Sequence, residues 1–260
     1  MRDDAPVADG AVLDPGARTR RRALDLPSTG PDPIPGDLAL SAVLGYAHGR
    51  RPLRFRPPSN PAGTWVQVPA FGYERFDAQP VPEPGDDDVL VAEGLHGRLD
   101  PAGWAAVRAD VDAVRPITEA AVRRAAGRAF WELPDEELSV LGEPGTVGAA
   151  LREIAQRTLT HPAHVSAAVH HRRPELFPHT TRTTRRQLLP HLQEGDSGVE
   201  AVVHRELRAN ETAFAELEVA AAARLDGPAL TRLRLHDVLL WLTATLRFSH
   251  AVSLGLAHRS

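Results

Sequence analysis

From residue 86 onward, apolar positions recur at helical spacing, and proline and small polar residues punctuate the pattern. Asp86, Asp87 and Asp88 place acid in the first turn of a helix running to about Leu95, where the macrodipole favours it. Asp100-Pro101 is a cap followed by proline at the first helical position, and it opens a helix over 101–115. Pro116 restarts a helix that reaches about Phe130, and Pro134 precedes a short helical turn. Thr146 caps a run over 147–159, and His161-Pro162 repeats the cap-then-proline grammar for a helix ending before Pro174. Further helices are predicted over 180–189, over 199–225 (closed by Gly227-Pro228) and over 232–250. Upstream, Asp37 reads as the cap of a helix over 38–48 that Gly49 stops.

One stretch breaks the helical period. Leu53-Arg54-Phe55-Arg56 and Thr64-Trp65-Val66-Gln67-Val68 alternate large apolar with polar residues, and the segment between them is turn chemistry rich in proline. A small β-hairpin within 52–78 is predicted, with Phe71, Tyr73 and Phe76 closing over it. Residues 1–36 hold six prolines and four glycines among few large apolar groups, a composition that predicts a disordered tail. The expected architecture is a mainly α, single multi-helix domain over 37–255, with the hairpin element and that tail.

Composition narrows the chemistry. Of the 260 residues, 30 are basic and all 30 are Arg; Lys and Cys are both absent. There is accordingly no Walker-A lysine, no Schiff-base lysine, no thiol nucleophile, no disulfide and no cysteine metal site. Net charge is −4, so bulk charge alone draws no polyanion. Its distribution is uneven: residues 61–150 carry 16 acids against 7 Arg, whereas 151–191 carry 7 Arg against 2 acids and six of the 12 His. The first 30 residues lack an apolar stretch suited to a signal peptide, and the longest apolar run near the C-terminus spans only 238–242. A cytoplasmic protein without membrane attachment is expected.

The basic segment 164–186 is where a site is sought. Arg182, Arg185 and Arg186 fall at spacings of three and four on one helix face. Thr180 and Thr181 add hydroxyls at that helix's N-terminus, a combination suited to a phosphate. Histidine spacings give no metal set: no His-x-x-x-His pair occurs, and His164 and His171 lie two turns apart. Neither a metal nor a cofactor is expected. The loop 142–148 lacks both the spacing and the preceding strand of a dinucleotide site, and Gly-x-Ser-x-Gly is absent. In the last helix, Asp237 precedes the apolar run Val238-Leu239-Leu240-Trp241-Leu242. A carboxylate there needs a partner, and Arg172 or Arg173, projecting from the corner at Pro174, is expected to supply it.

His171-Arg-Arg-Pro-Glu-Leu-Phe-Pro178 and Leu233-Arg-Leu-His-Asp-Val-Leu-Leu-Trp241 resemble motifs of an uncharacterised family of high-GC bacterial proteins, a domain of unknown function, over about residues 40–250. More remotely, the Arg-Pro corner is similar to segments of helical base-excision DNA glycosylases. The chain departs from those enzymes in lacking their Gly-x-Gly hairpin and any lysine nucleophile, and His179, Thr180 and Thr181, none of them acidic, follow the second proline. Three readings follow. The first is a non-catalytic protein binding nucleic acid or another phosphate-bearing ligand through 164–186. The second is a protein-interaction or regulatory domain without an anion ligand, and the third is an enzyme of the glycosylase-like helical class using Asp237. Oligomeric state is not set by any of these patterns.

Overall fold

The computed structural model describes residues 21–71, 80, 85–139, 143–157 and 160–258. Among them lie eleven α-helices and one two-stranded antiparallel sheet, as the helical period and the one alternating stretch predict. In chain order they are α1 (Gly36–His48), β1 (Arg50–Phe55), β2 (Thr64–Pro69), α2 (Asp86–His96), α3 (Pro101–Ala125) and α4 (Glu136–Ser139). There follow α5 (Val147–Arg157), α6 (Pro162–Arg172), α7 (Arg182–Leu188), α8 (Val199–Ala209), α9 (Glu211–Ala222), α10 (Arg232–Ala244) and α11 (Phe248–Leu256). One apolar core extends from Leu24 to Ala251, with Phe130, Phe177 and Phe214 among its largest fully buried side chains. No single helix among the described residues is long and apolar enough to cross a membrane.

Helix starts follow the local chemistry. Asp100 accepts from the Gly103 N–H, Thr181 from that of Thr184 and Thr231 from that of Arg234, each satisfying a donor left orphaned in a first turn. Helix interiors and ends depart from expectation in three places. Pro116 does not restart a helix: α3 runs through it, because Val107, Val111, Val114, Ala121 and Ala125 continue one buried stripe across the proline. The helix expected over 199–225 breaks at Asn210, whose buried side chain donates to the carbonyls of Glu206 and Asp25. The helix expected over 232–250 breaks after Ala244, and α11 leaves α10 at 118°.

The tail also needs correction. Residues 1–20 lie outside the described residues, but 21–35 pack into the fold. Leu24 bridges Ile34 across a small loop, and Leu24 and Leu26 are fully buried. Ser28 donates both its N–H and its hydroxyl to Glu206, and the Asp25 N–H donates to Asn210. Leu24, Leu26 and Ile34 thus hold the prolines and glycines around them in place, which composition averaged over the segment conceals.

The hairpin has the expected antiparallel pairing, with Leu53 opposite Val66 and Arg54 opposite Trp65. Its alternation, however, does not bury one face: all of β1 and most of β2 are exposed. Phe71, expected to close over it, is buried against α10 instead, while Tyr73 and Phe76 lie outside the described residues.

Candidate functional site

Five stretches of chain meet at a cleft of about 700 Å³, within the usual range for small-molecule sites. Its floor comes from α10, where Arg234, Asp237, Val238 and Trp241 share the inward side. Tyr46 from α1 and Phe71 stand edge-on to Trp241, with ring centroids 6.3 and 6.4 Å away. One side of the hairpin, with Arg51, Leu53 and Val68, forms a wall. Leu95 and His96 close it from the end of α2, His179 and Thr181 from the corner before α7, and Thr183 from the first turn of α7. Arg247, in the turn between α10 and α11, lies over the Trp241 ring at 5.5 Å.

Asp237 is buried, 6% exposed, and pairs with Arg234, which precedes it by three residues on α10. Arg234 also donates to Tyr46 Oη at 2.5 Å and lies over that ring. The expected partners Arg172 and Arg173 are placed elsewhere. The C-terminal end of α6 packs on α2, so Arg172 is drawn to the buried Asp88 at 2.7 Å, and Arg173 is exposed. Burial raises the Asp88 carboxyl, but hydrogen bonds from His171 and Arg172 outweigh it and hold the group below its ordinary 3.8.

The expected phosphate face is differently employed. Thr181 Oγ1 accepts from the Thr184 N–H at 3.1 Å and Thr184 Oγ1 accepts from the Thr181 N–H at 2.8 Å, so these hydroxyls cap α7 reciprocally. Arg182, Arg185 and Arg186 are exposed and line no part of the cleft, and Arg185 lies 3.8 Å from Glu200. Thr181 does reach the cleft wall; Thr180, half-buried beside it, does not. The guanidiniums that face the cleft are those of Arg51, Arg234 and Arg247.

Histidines gather behind the α2 wall. His96 Nε2 and His179 Nε2 are 3.2 Å apart, and His179 Nδ1 is 3.1 Å from Ser166 Oγ. His164 donates Nε2–H to the Gly97 carbonyl at 3.0 Å, and His170 donates Nδ1–H to that of Phe177 at 2.7 Å. Burial, then the neighbouring His164 and Arg234, push His96 down to about 4. Burial, with His96, His170 and Arg234 nearby, pushes His179 well below its usual 6.5. Both rings are neutral at pH 7. Among the described residues, no group of three or more potential ligands could hold a metal ion.

Nothing in the sequence context of Tyr46, Arg51, His96, Trp241 and Arg247 marks them as site residues. One signal did exist: Arg234 and Asp237 are charges at i,i+3 in an otherwise apolar stretch, a spacing that predicts a mutual pair. Comparison with protein-family models, curated proteins and solved structures finds no match to this chain.

Proposed function

We propose that this chain is a binding protein for a small anionic ligand with a flat apolar body, a phosphate- or carboxylate-bearing compound, held in the cleft beneath the hairpin. One observation carries the reading: a protein of net charge −4 sets three guanidiniums against one carboxylate in a concave site walled by Tyr46, Phe71 and Trp241. A low-dielectric cleft of one sign focuses field and concentrates counter-charge. Arg234, already engaged by Asp237 and Tyr46, is a fixed part of the floor, while the exposed Arg51 and Arg247 supply donors to an arriving anion. His96 and His179, paired with each other through their Nε2 atoms, are neutral and leave the charge of the cleft to the guanidiniums. Relative to the expectation from sequence, the anion site moves from Arg182, Arg185 and Arg186 to the other side of α7.

The test uses 8-anilinonaphthalene-1-sulfonate, an aromatic anion, on the folded protein. Saturable enhancement with energy transfer from Trp241 is expected, and inorganic pyrophosphate should compete for it. Arg51→Ala and Arg247→Ala should each weaken binding about fivefold, the effect of losing one charge-assisted contact. Trp241→Phe should reduce the transfer. No saturable binding at low salt, or equal binding by the Arg51→Ala/Arg247→Ala double variant, would reject the reading.

A further inference from the structure

The hairpin is anomalous for a two-stranded unit. Such ribbons are marginal alone and normally lay one face on a core, yet here Phe55 is 57% and Trp65 66% exposed. Residues 50–69 hold Arg50, Arg51, Arg54 and Arg56 and no acidic residue, in a chain of negative net charge. Arg54 and Trp65 are directly opposite in the register, on the face turned away from the cleft. Cross-strand pairs of this kind bring Cβ atoms to about 5 Å. Arg54 donates Nε–H and Nη2–H to the Ala62 carbonyl at 2.9 and 2.5 Å, which pins its planar head to the ribbon. The loop beyond is fixed by Asn60, whose side-chain oxygen accepts from the Gly63 N–H at 3.2 Å, with Gly63 at a φ of +73°.

We propose that this hairpin is a platform for single-stranded nucleic acid, with bases stacking on Trp65 and Phe55 and the arginines meeting the phosphate chain. Exposed aromatics interleaved with arginine are the combination such platforms use, since every base has a π-face and every linkage a charge. The interleaving also separates this occupant from a lipid surface. Interfacial anchors keep one face apolar and clear of charge, whereas here each face of the ribbon mixes the two: Arg54 lies opposite Trp65 on one, Arg51 shares the other with Leu53 and Phe55, and the tip carries Arg56, Ser59 and Asn60. The aromatic rings lie on opposite faces of the ribbon, an arrangement for a flexible strand that wraps rather than for a flat rigid surface. The proposal is independent of the cleft ligand: Trp65, Phe55 and Arg54 do not line the cleft.

A labelled oligothymidylate of about 15 nucleotides, within the span of known platforms, provides the test by fluorescence anisotropy. Binding should be saturable at low salt, quench tryptophan emission, and weaken with a log–log salt slope of about −2 to −3, at roughly −0.7 per phosphate contacted. Trp65→Ala and Phe55→Ala should each lower affinity at least fivefold. Arg54→Gln with Arg56→Gln should flatten the salt slope. All four side chains are exposed, so unchanged melting temperatures should show that these variants fold. Absent binding, binding indifferent to Trp65→Ala, or a duplex of equal length bound as tightly would overturn the proposal. Loss of retention on anionic phosphatidylserine vesicles by the same variants, with no oligonucleotide binding, would assign the hairpin to a membrane surface instead.

Discussion

Asp237 and Arg234 form a charge pair that water scarcely reaches, and Tyr46 also holds the guanidinium. Removing one charge strands the other, so Asp237→Asn should cost about 3–5 kcal/mol, read by urea denaturation; an unchanged midpoint would show that the pair contributes nothing. Acid should act first through histidines. His96, His179 and His204 all titrate below 6.5 in the fold, each mainly because burial disfavours the imidazolium. Below pH 6.5 the unfolded chain takes up protons that the folded chain refuses, so stability falls with pH until the folded groups titrate, near 4 for His96. Each such group contributes a slope of about 1.4 kcal/mol per pH unit. Unfolding free energies measured from pH 7 to 5 should therefore decline, and His179→Asn should make the decline shallower; a flat profile would contradict this. Glu206 and Asp88 act lower. Burial raises both carboxyls, but hydrogen bonds (His236 and Ser28 on Glu206, His171 and Arg172 on Asp88) outweigh it and depress them. Their stabilisation is complete above the ordinary 4.5 and 3.8 and is lost as pH falls through the depressed values.

At the scale of elements, the end of α10 offers a direct test. Leu246 sits at a φ of +58°, 95% exposed, while the Arg247 N–H reaches the Leu242 carbonyl and the Leu246 N–H that of Thr243. This is the hydrogen-bond pattern of a helix terminated by a left-handed residue, a place glycine usually fills. Leu246→Gly should raise stability by about 1 kcal/mol, seen as a higher melting temperature; a lower one would mean that Leu246 holds a contact of its own. The same residue explains why the sequence reads as one helix to His250: a leucine in the glycine position hides the stop. Asn210 hides another break, since its capping partners lie 185 residues away on the segment around Asp25. Most helix starts were legible because caps and prolines act within four residues; Asp37 is the exception, since α1 begins at Gly36 after Pro35 and Asp37 lies in its first turn rather than capping it. These ends are set by groups remote in sequence or by a residue ill-suited to its backbone.

The whole cleft was less legible than its parts. Asp237 and the corner at 179–183 could be singled out, but Tyr46, Arg51 and His96 meet them only through packing between distant stretches of chain. That packing rests on an unusually close contact of α1 with α11. A Cβ on Gly255 would fall 1.7 Å from the Ser41 carbonyl oxygen, and one on Gly45 1.8 Å from that of Ala251. Gly255→Ala should therefore force the helices apart at a cost of about 2 kcal/mol or more, and should loosen 8-anilinonaphthalene-1-sulfonate binding through Tyr46; full stability in the variant would refute the close approach. The contact has a further consequence in time. A chain emerges from the ribosome N-terminus first, yet the segment around Ser28 seats on Glu206 and α1 on α11, so residues 24–48 find their places only after α11 has been made. Until then the apolar face of α1 and the buried leucines before it stand open to whatever receives nascent chains, and a stalled or truncated translation product would be marked by that surface.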